Sequence, residues 1–441
     1  SFPTRRSSDL LAILYNFITI CLLIVFSPFF IVGLFNSELR PVILHRLFPF
    51  FLFRGIDQHR KPTIWLHSAS IGEANISIKL YKYFTSYHQE FEFIFSASNR
   101  KGYTQLARQQ FNTCYLPIDF SFIISRLINF YNIQGLIIIE TELWPGLLYS
   151  ATRKIPVFVF NARISDSSYN SFKFQRPILS NALAKVTAIY TYSDLNKQRL
   201  ETLGASTEVF RQVNSMKFLA PSFHKEKQPV NELLRYCHQD PKGIVLVCGS
   251  VQLKEIELIK QAIYLTGDLR SSITVVFIPK DIKVIDDIKA DPEFDRKKDL
   301  IWSPDLSGSD YSPYNSIYID AYGSSMDWYS VADLVFVGGS LAENRGGQNM
   351  IEPLFLGKPV FIGDKTPNFR EEVRILKERD LLQIVKDGKQ ITHLIEDFHL
   401  RRDGYKSMGM KAKEFVLQMS EKTSGDLKGF INHFVEEVKN N

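Results

Sequence analysis

Cysteine is scarce: only Cys21, Cys114, Cys237 and Cys248 occur in 441 residues, and no two have Cys-x-x-Cys spacing. This excludes a disulfide framework and a thiolate zinc site, and it fits a reducing compartment. No Asp-x-Asp triplet occurs, the nine histidines show no ligand spacing, and no Gly-x-Ser-x-Gly elbow is present. A resident metal and a hydrolase-type serine nucleophile therefore lack support. The dinucleotide fingerprint and the P-loop are also missing, so hydride transfer and ATP hydrolysis drop in rank. Neither sign of charge dominates, with 53 basic and 47 acidic residues, a net charge of +6 and a pI near 8.9. That balance suits acidic substrates or a membrane surface and is too weak to imply nucleic acid. No internal repeat or low-complexity tract is visible. With 45% hydrophobic and 23% charged residues, the chain has enough apolar material for two or three domains.

One long apolar run is present. The 26 residues from Leu10 to Phe35 carry no charge, and as a helix they exceed the ~30 Å hydrocarbon core of a bilayer. Pro28 is expected to kink that helix. A cleaved signal peptide is the main rival, but the run is longer than the usual ~7–15 apolar residues and lacks an Ala-x-Ala site. Arg5-Arg6 only superficially resembles a twin-arginine signal, and residues 1–9 look foreign to the rest of the chain. Arg40, Arg46, Arg54, Arg60 and Lys61 crowd after the run. The positive-inside rule then places everything C-terminal in the cytoplasm, behind a single-pass N-terminal anchor.

Beyond residue 62, short apolar runs alternate with helical patterns, which predicts parallel α/β sheets covered on both faces. Strands are expected at 63–67, 92–96, 135–139, 156–160, 186–191, 243–248, 273–278, 316–319, 333–337 and 359–362. Between the first two, Ile76, Leu80, Phe84 and Tyr87 share roughly one face of a helix over 74–87. The polar, proline-flanked segment 221–229 interrupts the alternation and reads as a linker between two similar halves. This divides the chain into an extension and anchor (1–36), a first α/β domain (37–218), a linker (219–231), a second α/β domain (232–410) and closing helices (411–441).

In open α/β sheets, chemistry gathers at the loops after the strands. The apolar run Leu334–Val337 feeds a loop containing Gly338, Gly339, Gly346 and Gly347, and Asn349 opens a helical pattern. Such a loop either holds a phosphate on glycine backbone and free helix N–H groups or needs glycine only for its turn. Glu352, one turn on, could bind a sugar diol. Gly249-Ser250 is a second, weaker phosphate loop, and Lys217 and Lys280 could add positive charge. In the first half, Glu73 has two readings. It completes a Ser70-x-x-Glu73 capping box, or it is a carboxylate base presented on the Ser70–Gly72 loop. Glu140 and Glu142 end a buried strand beside Trp144, where two carboxylates are costly unless they meet a partner. Arg163 in Asn161-Ala162-Arg163-Ile164-Ser165 could pair with one of them.

The loops Ser70-x-Gly72-Glu73, Glu140-Thr141-Glu142-Leu143-Trp144-Pro145, Asn161–Ser165, Gly249-Ser250 and Gly338–Pro353 together resemble the Kdo transferases. These bacterial enzymes add 3-deoxy-D-manno-octulosonic acid (Kdo) to a lipid A precursor. The resemblance runs from about residue 11 to 430 and also covers Tyr115–Asp119 and Asn214-x-x-Lys217-Phe218. It implies a GT-B fold, two Rossmann-like domains across a cleft, in an inner-membrane protein whose catalytic domains are cytoplasmic. It further implies inverting, metal-independent transfer from CMP-Kdo to lipid IVA, with membrane lipids as surroundings and no separate cofactor. Glu73 would be the base. Glu140 would assist it, with Ser70, Gly72, Glu142 and Arg163 on the acceptor side. Gly249, Ser250, Gly339, Ser340, Gly346, Gly347, Gln348 and Asn349 would hold the CMP phosphate, Glu352 the ribose, and Lys217 and Lys280 would attend the same donor. The family's usual Gly-Gly-His-Asn is Gly346-Gly347-Gln348-Asn349 here, its Ser-Thr-His is Ser250-Val251-Gln252, and its Pro-Arg-His is Pro279-Lys280-Asp281. A glutamine still hydrogen-bonds and a lysine still binds phosphate as a point charge. Two alternatives remain: a GT-B transferase using a UDP-sugar, and a catalytically lapsed, membrane-anchored protein that keeps the nucleotide cleft.

Overall fold

A computed structural model describes residues 5–51, 61–220, 230–237, 242–304, 314–342 and 346–441. The linker segment 221–229, Arg54 and Arg60 lie outside the described residues. The chain divides into two compact units, Ser1–Met216 with Lys422–Asn441, and Lys217–Glu421.

The first unit opens with α1 (Arg5–Leu34) and α2 (Leu39–Leu47). Then come β1 (Thr63–Ser68), α3 (Ile71–Tyr87), β2 (Glu92–Ala97), α4 (Arg100–Ala107) and β3 (Thr113–Tyr115). Next are α5 (Ser121–Phe130), β4 (Ile133–Ile139), α6 (Pro145–Ala151) and β5 (Val157–Ala162). The unit continues with α7 (Asp166–Leu183), β6 (Ala188–Thr191), α8 (Asp194–Leu203) and β7 (Phe210–Gln212). All seven strands pair in parallel in the order β3-β2-β1-β4-β5-β6-β7. The direction of strand addition reverses between β1 and β4, and open sheets of this kind place ligands just beyond such a switch point. Strand residues are buried on both faces, which is why β4 reads as an almost unbroken apolar run. One face packs a core that includes Trp65, Ile138, Leu147 and Leu179. On α3 the buried positions are Glu73, Ala74, Ser77, Ile78, Leu80 and Phe84, whereas Tyr87 is exposed, contrary to the sequence pattern.

The second unit carries α9 (Val230–Leu234), β8 (Ile244–Val251), α10 (Leu253–Tyr264), β9 (Ile273–Pro279), α11 (Val284–Ala290) and β10 (Asp299–Trp302). Then follow β11 (Ser316–Ile319), α12 (Ser325–Val331), β12 (Leu334–Val337), α13 (Ile351–Phe355) and β13 (Val360–Gly363). The unit ends with α14 (Arg370–Lys377), β14 (Gln383–Val385), α15 (Gly388–Leu400) and α16 (Arg402–Asn440). Its sheet is again wholly parallel, in the order β10-β11-β9-β8-β12-β13-β14, with the reversal between β8 and β12. Alternate strand residues feed two cores, one around Val247, Val335 and Trp328, the other around Leu246, Phe336 and Ile259.

All ten expected strands are present. Those missed in the sequence, β3, β7, β10 and β14, are the four edge strands, and their partly exposed residues leave no unbroken apolar run. The expected closing helices from 411 are one continuous helix that begins at Arg402, because Gly404, Gly409, Gly425 and Gly429 lower helix propensity without ending it. Its residues from 422 onward belong to the first unit, where Phe430 and Phe434 pack on Phe158. Helix α1 holds a stretch, Leu10–Leu34, long and apolar enough to cross a membrane by length and composition.

Candidate active site

Beyond β1 and β4, the two strands at the first switch point, lie Glu73, in the first turn of α3, and Glu140, directly after β4. Glu73 takes the capping geometry that is the plainer of its two readings. Ser70 is the N-cap of α3, and its hydroxyl donates to Glu73 Oε1 at 2.9 Å while Oε2 accepts the Ala69 N–H at 2.6 Å. An ordinary cap faces water, but this carboxyl is only 8% exposed. Burial, then the neighbouring Glu140 carboxylate, raise its pKa to about 7, with Glu142 adding a smaller push in the same direction. The cap holds in place a carboxyl that gains or loses a proton near neutral pH. Packing does not require glycine at position 72, since a Cβ there would meet only Ser70 Oγ, at 3.7 Å.

Glu140 adopts a positive φ of 60°, a strained conformation for a residue with a side chain, and its N–H bonds Phe160 O at 2.9 Å. Two more strand-end residues share that conformation, Asn161 at 57° and Ser250 at 55°. Such strain gathers where surroundings over-determine a side chain's direction.

Glu142 is held differently. It accepts from Ser98 Oγ at 2.7 Å and Trp144 Nε1 at 2.9 Å, and the His67 ring nitrogen lies 3.8 Å away. Burial opposes its charge, but the His67, Ser98 and Trp144 contacts outweigh it and hold the pKa at about 2. His67, fully buried at the end of β1, was not singled out in the sequence. Its role follows from donors and acceptors. Trp65 Nε1 donates to Ser96 Oγ at 2.8 Å, and the same hydroxyl lies 2.8 Å from His67 Nδ1. The other ring nitrogen, Nε2, faces Glu142 at 3.8 Å and Ser98 Oγ at 3.4 Å. Only the fold brings Trp65, His67, Ser96, Ser98 and Glu142 together, because β1 pairs with β2 on one side and with β4 on the other. Asp119 was also missed. It caps α6, which follows the Glu142 loop, by accepting the N–H groups of Gly146 at 2.8 Å and Leu147 at 2.6 Å. Arg163 lies beside the loop, its carbonyl accepting the Thr141 hydroxyl.

In the second unit the switch-point strands are β8 and β12; Gly249-Ser250 lie at the end of β8, and Gly338-Gly339 in the loop after β12. The expectation that Gly339 and Ser340 offer backbone N–H groups to a phosphate is corrected. Glu255, completely buried on α10, accepts from Gly339 N at 2.8 Å, Ser340 N at 3.1 Å, Leu341 N at 3.0 Å and Gln252 N at 3.0 Å. An internal carboxylate fills the nest, and Gly338 leaves it room, since a Cβ there would lie 2.6 Å from Glu255 Oε2. The Ser340 hydroxyl is likewise engaged, donating to Val337 O and accepting from Gly363 N.

Several of the remaining donor candidates do converge. Gly249 is forced by Tyr329, whose hydroxyl would lie 1.7 Å from an added Cβ. Burial, then the nearby Glu352, push that phenol's pKa upward. Asn349 Nδ2 donates to Glu352 Oε1 at 2.9 Å, so Glu352, Asn349, Tyr329 and Gly249 form one cluster. Gly346 and Gly347 have φ of 83° and 80°, so the turn itself requires glycine. Gln348 and Asn349 are half-buried in the same loop. The Lys217 ammonium bonds Asn368 O, lies 3.7 Å from Glu372 and sits over the Phe369 ring, while Asn368 N bonds Gly346 O. Lys280 is exposed at the end of β9, its N–H on Val251 O. Among the described residues no three His, Cys, Asp or Glu side chains are grouped so as to hold a metal ion.

Residues 46–220, which contain all of the first acidic cluster, match the family described as 3-deoxy-D-manno-octulosonic-acid transferase (kdotransferase). This part of the chain, nearly all of it within the first unit, is a Kdo transferase domain. Kdo transferases from Haemophilus influenzae and Chlamydia trachomatis are similar to it. The first is 25% identical over 80% of this chain and 83% of its own length, the second 26% identical over 68% and 70%. A bifunctional glycosyltransferase/methyltransferase from Fusobacterium nucleatum is 28% identical over 87% of this chain, which spans 58% of that protein's length. The fold is the GT-B fold of glycosyltransferases. A glycosyltransferase from Rickettsia africae aligns with a TM-score of 0.57 over 87% of this chain and all of its own, at 14% identity. A Listeria monocytogenes protein described as a putative UDP-N-acetylglucosamine 2-epimerase aligns with a TM-score of 0.55 over 85% of this chain and 97% of its own, at 12% identity.

Proposed function

We propose that this protein transfers Kdo from CMP-Kdo to a lipid A precursor, lipid IVA, at the cytoplasmic face of the bacterial inner membrane, in lipopolysaccharide synthesis. The observation that carries this reading is the buried Glu73 carboxyl, held by Ser70 and Ala69 and pushed to a near-neutral pKa beside Glu140, in a domain of this family. At pH near 7 a large share of Glu73 is ionised, yet it keeps enough basicity to take a hydroxyl proton. The acceptor hydroxyl loses its proton to Glu73 as its oxygen bonds the anomeric carbon of Kdo. The bond from that carbon to the CMP phosphate breaks, and CMP leaves with the electron pair. Attack from the side opposite CMP inverts the anomeric centre. Glu142, kept ionised by Ser98, Trp144 and His67, orients the acceptor loop with Ser70, Gly72 and Arg163, and Glu140 supports the charge balance.

On the donor unit, Ser250, Lys280, Gln348 and Asn349 meet the phosphate and Glu352 the ribose, with Lys217 steadying the Gly346 loop through Asn368. No cofactor or metal is required, because cations and backbone dipoles can carry the charge that develops on the leaving CMP. The Glu255 carboxylate in the Gly339–Leu341 nest favours a second reading, a donor-binding protein without turnover.

One assay separates the readings. Membranes carrying the protein are incubated with tetraacylated lipid A precursor and CMP-Kdo or UDP-sugars, and the lipid is followed by mass spectrometry. We expect a Kdo mass increment from CMP-Kdo alone, reduced about 10²–10⁴-fold in Glu73→Gln. Transfer only from a UDP-sugar, or CMP-Kdo binding with no product, would remove this assignment.

A further inference from the structure

Helix α1 is long enough to cross a bilayer, yet its contacts place it along the first unit. Leu11, Ala12, Tyr15, Asn16, Thr19 and Leu23, spaced by one helical face, are its buried and half-buried positions up to residue 23. On that face the Tyr15 hydroxyl donates to Asp119 Oδ2 at 2.5 Å, and Asn16 Oδ1 accepts the Ser121 N–H at 3.1 Å. The chain then turns back. A Cβ on Gly33 would meet Ile43 Cδ1 at 2.5 Å, so α1 and α2 pack as a tight hairpin. At its bend Glu38 pairs with Arg100 at 2.8 Å. At its end Arg46 Nη2 donates to Ser98 O at 2.9 Å, and Arg46 O accepts the Ile118 N–H at 3.0 Å. Tyr15 and Arg46, at opposite ends of the hairpin, thus meet consecutive residues, Asp119 and Ile118.

A spanning helix separates its ends by the ~30 Å core, leaving Tyr15 on the far side from the unit that binds it. The face turned away is apolar throughout. Ile13, Phe17, Ile24, Val25, Phe29 and Val32 are all exposed, Phe29 by 73% and Val32 by 71%. A patch of this size is not stable in water. Arg40 on α2 is exposed and offers a cation to a lipid headgroup.

We propose that α1 and α2 form a docking hairpin that enters one leaflet, its outer face among the acyl chains and both its ends on the side of the catalytic units. This rests on the membrane-bound part of the proposed function and is independent of which sugar is transferred. It also ties the membrane to the site, because Asp119, held by Tyr15, caps α6 directly after the Glu142 loop.

The test places one epitope tag before Ser1 and another after Asn441, then applies protease to spheroplasts and to inverted inner-membrane vesicles. We expect both tags to survive in spheroplasts and both to be removed in inverted vesicles. Removal of the first tag from spheroplasts would show a spanning helix and overturn the proposal. Cys21 gives an independent readout, since it is exposed and the other three cysteines are buried. A membrane-impermeant maleimide should leave it unmodified in both preparations. Labelling, or recovery of the protein in the soluble fraction as a multimer, would show that the face meets water or another copy instead of lipid. Kdo transfer measured on the same vesicles reports on the enzymatic reading separately, so loss of one leaves the other standing.

Discussion

At the scale of single residues, the chemistry depends on two carboxyls driven in opposite directions. Glu73 sits in a buried cap near Glu140 and has a raised pKa, whereas Glu142 collects hydrogen bonds and has a lowered one. Turnover should therefore rise with pH through about 7 and level off once Glu73 is ionised. A kcat/KM profile that is flat between pH 5.5 and 8.5 would exclude Glu73 as the base. The same shift has a stability consequence. An unfolded glutamate titrates near ~4.3, so ionising the buried one costs stability progressively as pH climbs from there to about 7. Glu73→Gln should accordingly gain about 1–3 kcal/mol over the wild type at pH 8 and little at pH 4, by thermal melts at both values. Glu142 has the opposite sign, contributing stability above ~4.3 that is lost as pH falls toward 2. Gly72→Ala tests whether a ligand approaches there. It lies in an uncrowded helix turn, so it should stabilise the fold by about 0.5–1 kcal/mol. A drop in turnover alongside that gain would mark a close substrate contact, and unchanged kinetics would remove Gly72 from the acceptor site.

At the scale of elements, Glu255 binds the start of α10 to the loop after β12. Removing its charge leaves four buried N–H groups competing for one weaker acceptor, so Glu255→Gln should destabilise the protein by about 2–4 kcal/mol in urea unfolding. A loss below about 0.5 kcal/mol would mean that the nest is filled by something else, such as a bound anion. Both acidic segments of the first half were legible, Glu140 and Glu142 because they end a buried apolar strand and Glu73 because of its Ser70-x-x-Glu73 spacing. The Glu255 nest was not, since Glu255 in sequence is an ordinary residue in a helix's first turn. Three of its four partners are 84 to 86 positions away, joined to it only when β12 pairs with β8. His67 and Asp119 escaped notice for the same reason. Each looks like a lone polar residue until a parallel neighbour or the next helix supplies what it binds.

At the scale of the whole molecule, the sequence by itself determined two α/β sheets, their ten inner strands, the apolar N-terminal helix and the resemblance to a family. These are properties of local periodicity, composition and loop motifs, and each is written in residues close together in the chain. Tertiary structure alone decided which polar groups are spent on the fold. Gly339 and Ser340 resemble open phosphate ligands until Glu255 takes their N–H groups, and Glu73 resembles a plain cap until Glu140 comes alongside. It also decided that α1 rests one face on Asp119 and Ser121, which hydropathy cannot register. The physical reason is common to all three. A hydrogen bond or a like-charge repulsion acts across a few ångströms of space, and only the folded sheets bring residues so distant in sequence that close.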